Sequence, residues 1–105
     1  MEKECPVAKI IDLLSKKWNL LIIHQLNGSD NTKKRFNELI KEITGISSRT
    51  LSKRLKELKK AKIINKTKFN ETPPRVEYSL TPSGKEIIKC FKPMSKWAEK
   101  FGNSI

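Results

Sequence analysis

Leucines at positions 51, 55 and 58 recur at i, i+4 and i+7, a spacing that a helix gathers on one side and a strand scatters over two. At about 100° per residue, Arg49, Lys53, Lys56 and Lys60 fall on the opposite side. A solvated helix normally interleaves Glu with Lys at i,i+4 for roughly 0.2–0.5 kcal/mol per pair. Here Lys53, Lys56 and Lys60 face one another instead, and only Glu57 relieves them. A helix that accepts this repulsion is suited to an anion. Its start is well specified. Ser47 can cap it, and Ile46 with Leu51 takes the two places of a hydrophobic staple. The preceding helix carries Phe36, Leu39, Ile40 and Ile43 on one face and ends at Gly45. Two helices joined by so short a turn form a helix-turn-helix candidate, with the second expected over about residues 47–61.

Charge is concentrated around this motif. Residues 33–75 hold 14 Lys and Arg against four acids, a net +10 of the chain's +12. A solvated lysine-rich surface and a phosphate-backbone footprint both fit that density; placement on one helix face favours the footprint.

Other functions are poorly supplied. The single His24 sits in the apolar stretch 18–26, read as a core or interface position, and offers no relay or metal partner. No Gly-rich phosphate loop or paired acid and base is evident, so neither catalysis nor a cofactor is expected. Cys5 and Cys90 are too far apart in sequence for a clustered zinc site and too few for a disulfide framework. Cys90 reads as a small packing residue. The longest apolar run, Leu20 to Ile23, is far below the roughly 20 residues of a membrane span, and the charged start lacks signal-peptide features. A cytoplasmic protein of one domain, residues 1–105, is expected.

The remaining segments complete a mainly α chain with a small β-hairpin. Helices are expected over about 7–15 and 18–26, followed by a polar turn through Asn27, Gly28 and Asp30. After the cationic helix, residues 63–69 and 76–80 read as strands, with Val76, Tyr78 and Leu80 on one face. Their connection, with Pro73-Pro74 and Arg75, forms a stiff tip over about 70–76. Thr81 and Pro82 open a last helix over about 82–103, which Pro93 should kink or break. Three helices, a basic hairpin and a long helix make a winged helix-turn-helix. In that fold the second helix of the motif enters the major groove and the wing reaches the minor groove or backbone. Candidate DNA contacts are Arg35, Ser47, Ser48, Arg49, Thr50, Ser52, Lys53, Arg54 and Lys56, with Arg75 at the wing tip.

The run from Ile46 to Leu58, followed by Pro73-Pro74-Arg75-Val76-Glu77-Tyr78-Ser79-Leu80-Thr81, resembles the HxlR-type regulators of the broader MarR-like group. Cys5-Pro6-Val7, Lys17-Trp18 and Arg35-Phe36-Asn37-Glu38-Leu39 match as well, so the resemblance spans nearly the whole chain. Departures are Ser15-Lys16 where the family has Gly-Gly, a longer loop before Arg35, and Lys62 where a Gly usually follows the recognition helix. The resemblance implies a homodimeric, cytoplasmic, prokaryotic transcription factor on double-stranded DNA. Its N- and C-terminal helices would form the dimer interface, here Val7, Ile10, Ile11, Phe91, Met94, Trp97 and Phe101. It also implies that Cys5 is a candidate redox sensor. A sensor needs a lowered thiol pKa, which Lys3 and Lys9 favour and Glu2 and Glu4 oppose, so an unreactive thiol stays open.

The leading expectation is a sequence-specific regulator, a repressor by preference, bound as a dimer to a pseudo-palindrome with half-sites about 34 Å apart. The alternatives are a sequence-independent architectural DNA-binding protein and a winged helix whose hairpin serves protein contacts. Operator, regulated genes and any small-molecule or oxidant effector are not encoded legibly.

Overall fold

The computed structural model describes residues 6–27 and 33–104; Cys5 and the expected turn at Gly28 and Asp30 lie outside them. Five helices and a small antiparallel sheet follow in the order α1 (Pro6–Leu14), α2 (Asn19–Leu26), β1 (Lys34–Arg35), α3 (Phe36–Glu42), α4 (Ser48–Lys60), β2 (Ile64–Phe69), β3 (Arg75–Leu80) and α5 (Pro82–Phe101). A single 3-10 turn, Gly102–Ser104, ends the described chain. This is a winged helix-turn-helix.

The α3–α4 turn is built as its residues dictate. Gly45 adopts a left-handed backbone with φ of 92°, where a side chain would be strained. The Ser47 hydroxyl accepts from the Thr50 amide at 3.1 Å, satisfying one of the free donors of the first turn of α4. Leu51, Leu55 and Leu58 are buried and join Ile22, Ile23, Leu26 and Leu39 in one core, closed on the sheet side by Ile64, Tyr78 and Leu80.

Strand order is β1-β3-β2. β2 and β3 pair from Ile64↔Leu80 through Lys66↔Tyr78 to Phe69↔Arg75. β1 adds Lys34↔Tyr78 and Arg35↔Glu77 along the other edge of β3. Such a two-residue strand has no alternation of its own; it exists because β3 offers it unpaired backbone groups.

One junction joins the recognition helix, the wing and the last helix. The Thr81 hydroxyl donates to the carbonyls of Lys62 and Ile63, at 2.7 and 3.0 Å, and accepts from the Gly84 amide at 3.0 Å. Gly84 is buried so closely that a methyl group there would fall on the Ile63 carbonyl oxygen. Lys62 turns the chain from α4 into β2 with a left-handed φ of 64°, a conformation that costs an L-residue other than Gly roughly 1–2 kcal/mol. Lys62, at the position where the resemblance leads one to expect glycine, is therefore strained.

Two expectations need correction, and a third narrows. Of the kink or break expected at Pro93, the break does not occur: α5 runs on through it, the missing amide removing one hydrogen bond without ending the helix. Cys90 is exposed on α5 rather than packed, its thiol 3.7 Å from the Glu86 carbonyl. His24, read as a core or interface position, is exposed on α2, which removes the core alternative and leaves the interface one.

Two substitutions test the junction by chemical denaturation. Gly84→Ala should lose about 1–3 kcal/mol of unfolding free energy through overpacking against backbone that cannot yield. Lys62→Gly should gain about 0.5–1 kcal/mol, the relief of left-handed strain less the added freedom of the unfolded chain.

Candidate nucleic-acid interface

Burial of the leucine stripe fixes what α4 shows to solvent. Ser48, Arg49, Ser52, Lys53, Lys56, Lys59 and Lys60 are all exposed. Among the described residues none of these cations has a carboxylate partner. The ridge read from the sequence is an uncompensated cationic surface. Ser47 and Thr50 also sit at its leading end, but the Ser47 hydroxyl is engaged with Thr50 in capping, at 2.9 Å to the Thr50 hydroxyl.

Arg54 differs from its neighbours. Its guanidinium is one-fifth exposed and donates to Glu57 Oε1 at 2.6 Å, while Lys16 Nζ reaches Glu57 Oε2 at 3.0 Å. Arg54 is turned to the α1–α2 connection and is committed to a carboxylate; it is not on the free ridge. The cluster ties α4 to the turn after α1, and Trp18 strengthens the tie by lying against Gly45. Hydrogen bonds from Arg54 first and Lys16 second hold the Glu57 carboxyl below its ordinary value of 4.5.

Arg75 also departs from expectation. It pairs with Phe69 at the first rung of the ladder, so the tip is residues 70–74 and Arg75 opens β3 behind it. Its guanidinium lies 4.1 Å over the Phe69 ring and 3.1 Å from Glu71, with Nε 3.5 Å from Glu77. The last distance is an ion pair without a hydrogen bond, and Nε has no other partner. Two carboxylates and a ring thus turn Arg75 into a clasp across the wing, not a free cation at its tip. Arg35 is exposed at the start of α3, opposite Glu77 in the sheet, with its amide donating to Glu38 at 2.9 Å.

The α4 ridge is extended instead from β2 by Lys66, which lines one cavity with Lys56 and Lys59. Lys66 and Lys68 share a face with Ile64, because partners directly opposite in an antiparallel ladder point the same way and Tyr78 and Leu80 point to the core. That alternation was present in the sequence, but the apolar reading of β3 was not carried across to the lysines of β2.

Most of the expected dimer residues are large apolar side chains left open to solvent on α1 and α5. Val7, Ile11, Met94, Trp97 and Phe101 are each about half exposed, from 48% to 59%, and Ile10 is 37% exposed. Phe91 is the exception, packed partly against the core. Leu20 and Leu21, not expected there, are exposed beside them, and Leu20 joins Ile10, Ile11 and Leu14 in lining an apolar hollow of about 230 Å³. Trp97 and Phe101 pack on each other with centroids 5.7 Å apart. A contiguous exposed apolar hollow such as the one on α1 and α2 marks an interaction site. Among the described residues no helix is long and apolar enough to cross a membrane.

Residues 13–105 match the model of the HxlR-like helix-turn-helix family. The chain belongs to that family of transcriptional regulators. It is 42% identical over 99 residues to the HTH-type transcriptional regulator YvaP of Bacillus subtilis, covering 92% of this chain and 88% of YvaP. The reduced form of the B. subtilis transcriptional regulator YodB superposes with a TM-score of 0.80 at 39% identity, covering 94% of this chain and 95% of YodB. The reduced form of the redox regulator HypR superposes with a TM-score of 0.77 at 34% identity, covering 91% and 92%. For an HxlR-like chain, the Lys16–Glu57 pair is notable because Lys16 stands where the resemblance places a glycine.

Acid titration reads the Glu57 cluster. A carboxyl held low in the folded state adds stability that is complete above the unfolded value near 4.5 and disappears as pH falls through the folded one. The stability advantage of the natural chain over Glu57→Gln should be constant from neutral pH down to about 5 and shrink below it, measured by urea unfolding across pH.

Proposed function

We propose that this HxlR-like chain acts as a homodimeric, sequence-specific repressor on a pseudo-palindromic operator. α4 and its caps, residues 47–61, lie in the major groove, and the wing follows the adjacent backbone or minor groove. The observation that carries this reading is the row Arg49, Lys53, Lys56 and Lys60, exposed and without acidic partners, on the side of α4 opposite its buried leucines. Ser48, Arg49, Ser52 and Lys53 at its leading end read base edges; the lysines further on and those of β2 hold phosphates. Arg35 supports the adjoining backbone. Arg54 and Arg75 shape the reader and contribute little direct contact.

The apolar face of α1, α2 and α5 supports the dimer. Two such faces meeting about a two-fold axis present two ridges to successive major grooves, about 34 Å apart. A chromosomal target puts the protein in the cytoplasm. No enzymatic step belongs to this reading, since its output is occupancy of DNA. Responsiveness to thiol oxidation through Cys5 is its finer part, supported by the name redox regulator carried by HypR and by the match of Cys5-Pro6 to the family pattern.

Selection of bound sites from random DNA, followed by binding of Arg49→Ala to the selected site and to unrelated duplex, tests the function. Loss of about 1–3 kcal/mol on the selected site, with nearly unchanged affinity for unrelated DNA, is expected. Equal weakening on both would identify an architectural binder instead.

A further inference from the structure

Between α4 and β2 lies a cavity of about 170 Å³ lined by Ser52, Leu55, Lys56, Lys59, Lys66 and Tyr78. We infer that it is a phosphate seat, in which the ammonium groups of Lys56, Lys59 and Lys66 and the hydroxyl of Tyr78 hold one phosphate between the recognition helix and the wing. The inference deepens the DNA-binding reading and rests on it for the source of the phosphate.

The donor set is one-sided. Three lysines from two elements converge on one cavity, and among the described residues none meets a carboxylate. Three like charges so placed repel unless an anion or solvent sits among them. Tyr78 adds an independent sign. Only 8% of it is exposed, it lines the cavity, and its hydroxyl has no hydrogen-bond partner among the described residues. The hydroxyl stands at the cavity wall with no partner among the described residues, free to donate to a visitor. Burial also raises the phenol's pKa above its usual 10.0, which keeps the O–H a donor throughout the physiological range. Lys66 lies directly opposite Tyr78 in the ladder, and Lys56 and Lys59 are neighbours three apart on α4. With ammonium and hydroxyl donors and no carboxylate, the site is unsuited to a cation and matched to phosphate oxygens.

The phosphate has two possible sources, the DNA backbone and a free phosphorylated small molecule, and two measurements separate them. Inorganic phosphate titrated into the DNA-free full-length protein should shift NMR signals of Lys56, Lys59, Lys66 and Tyr78 together and saturably, and Tyr78→Phe should weaken that binding roughly tenfold. Equal, unsaturable shifts along Arg49, Lys53 and Lys60 would mean a diffuse ion atmosphere and overturn the seat.

The salt dependence of duplex binding is then compared for the natural chain, Lys59→Ala and Lys66→Ala. A slope of log affinity against log salt that falls by about 0.9 for each lysine, equally on selected and unrelated DNA, identifies a backbone phosphate. Unchanged slopes with a positive phosphate titration identify a free phosphorylated ligand. Failure of the natural chain to bind DNA at all would sink the regulator reading, while the titration would still decide the seat.

Discussion

Everything the protein presents to a partner follows from how α4 is held. Its three leucines are its only strong claim on the core, and their burial leaves one rotation of the helix about its axis in which the lysines are outside. Rotation is fixed from a second direction by Glu57, which is bound by Arg54 of the same helix and by Lys16 from the turn after α1. The apolar contact sets which side faces out, and the ion-paired cluster sets how the helix meets the N-terminal part of the chain.

The few acids of the basic segment are spent inside the fold. Glu57 is taken by Arg54 and Lys16, Glu42 by Lys34, Glu71 by Arg75, which also meets Glu77 just beyond the segment, and Glu38 accepts from the Arg35 amide. What remains unbalanced on α4 and on one face of β2 is lysine together with Arg49. Arginines at 54 and 75 suit the internal role, since a planar guanidinium can meet a carboxylate and stack on a ring at once. Lysines, with compact and well-hydrated charges, suit a surface that must be dry only when occupied.

The helix-turn-helix was legible because its signals are local: the Leu51-Leu55-Leu58 period, Ser47 as cap, and Gly45 at a left-handed position. The alternation of Val76, Tyr78 and Leu80, and the Thr81-Pro82 start of α5, were legible for the same reason. What could not be read depends on partners distant in sequence. Lys16 lies 41 residues from Glu57, which is why Arg54 looked like another member of the ridge. Arg75 is assigned to its clasp by the rung it shares with Phe69, a matter of register that periodicity alone leaves open. Cys90 has an apolar neighbour in sequence, Phe91, yet the helix turns it outward. Pro93 shows that a long helix with other attachments outlasts one missing hydrogen bond.

The joint at Thr81 and Gly84 has a mechanical meaning. α5 starts where α4 and the wing are already fastened, so no slack linker separates the apolar end of the molecule from its cationic end. In the dimer proposed above, a pair of these chains would be a caliper rather than two beads on a string: the gap between its jaws would be set by the angle at which the long arms cross.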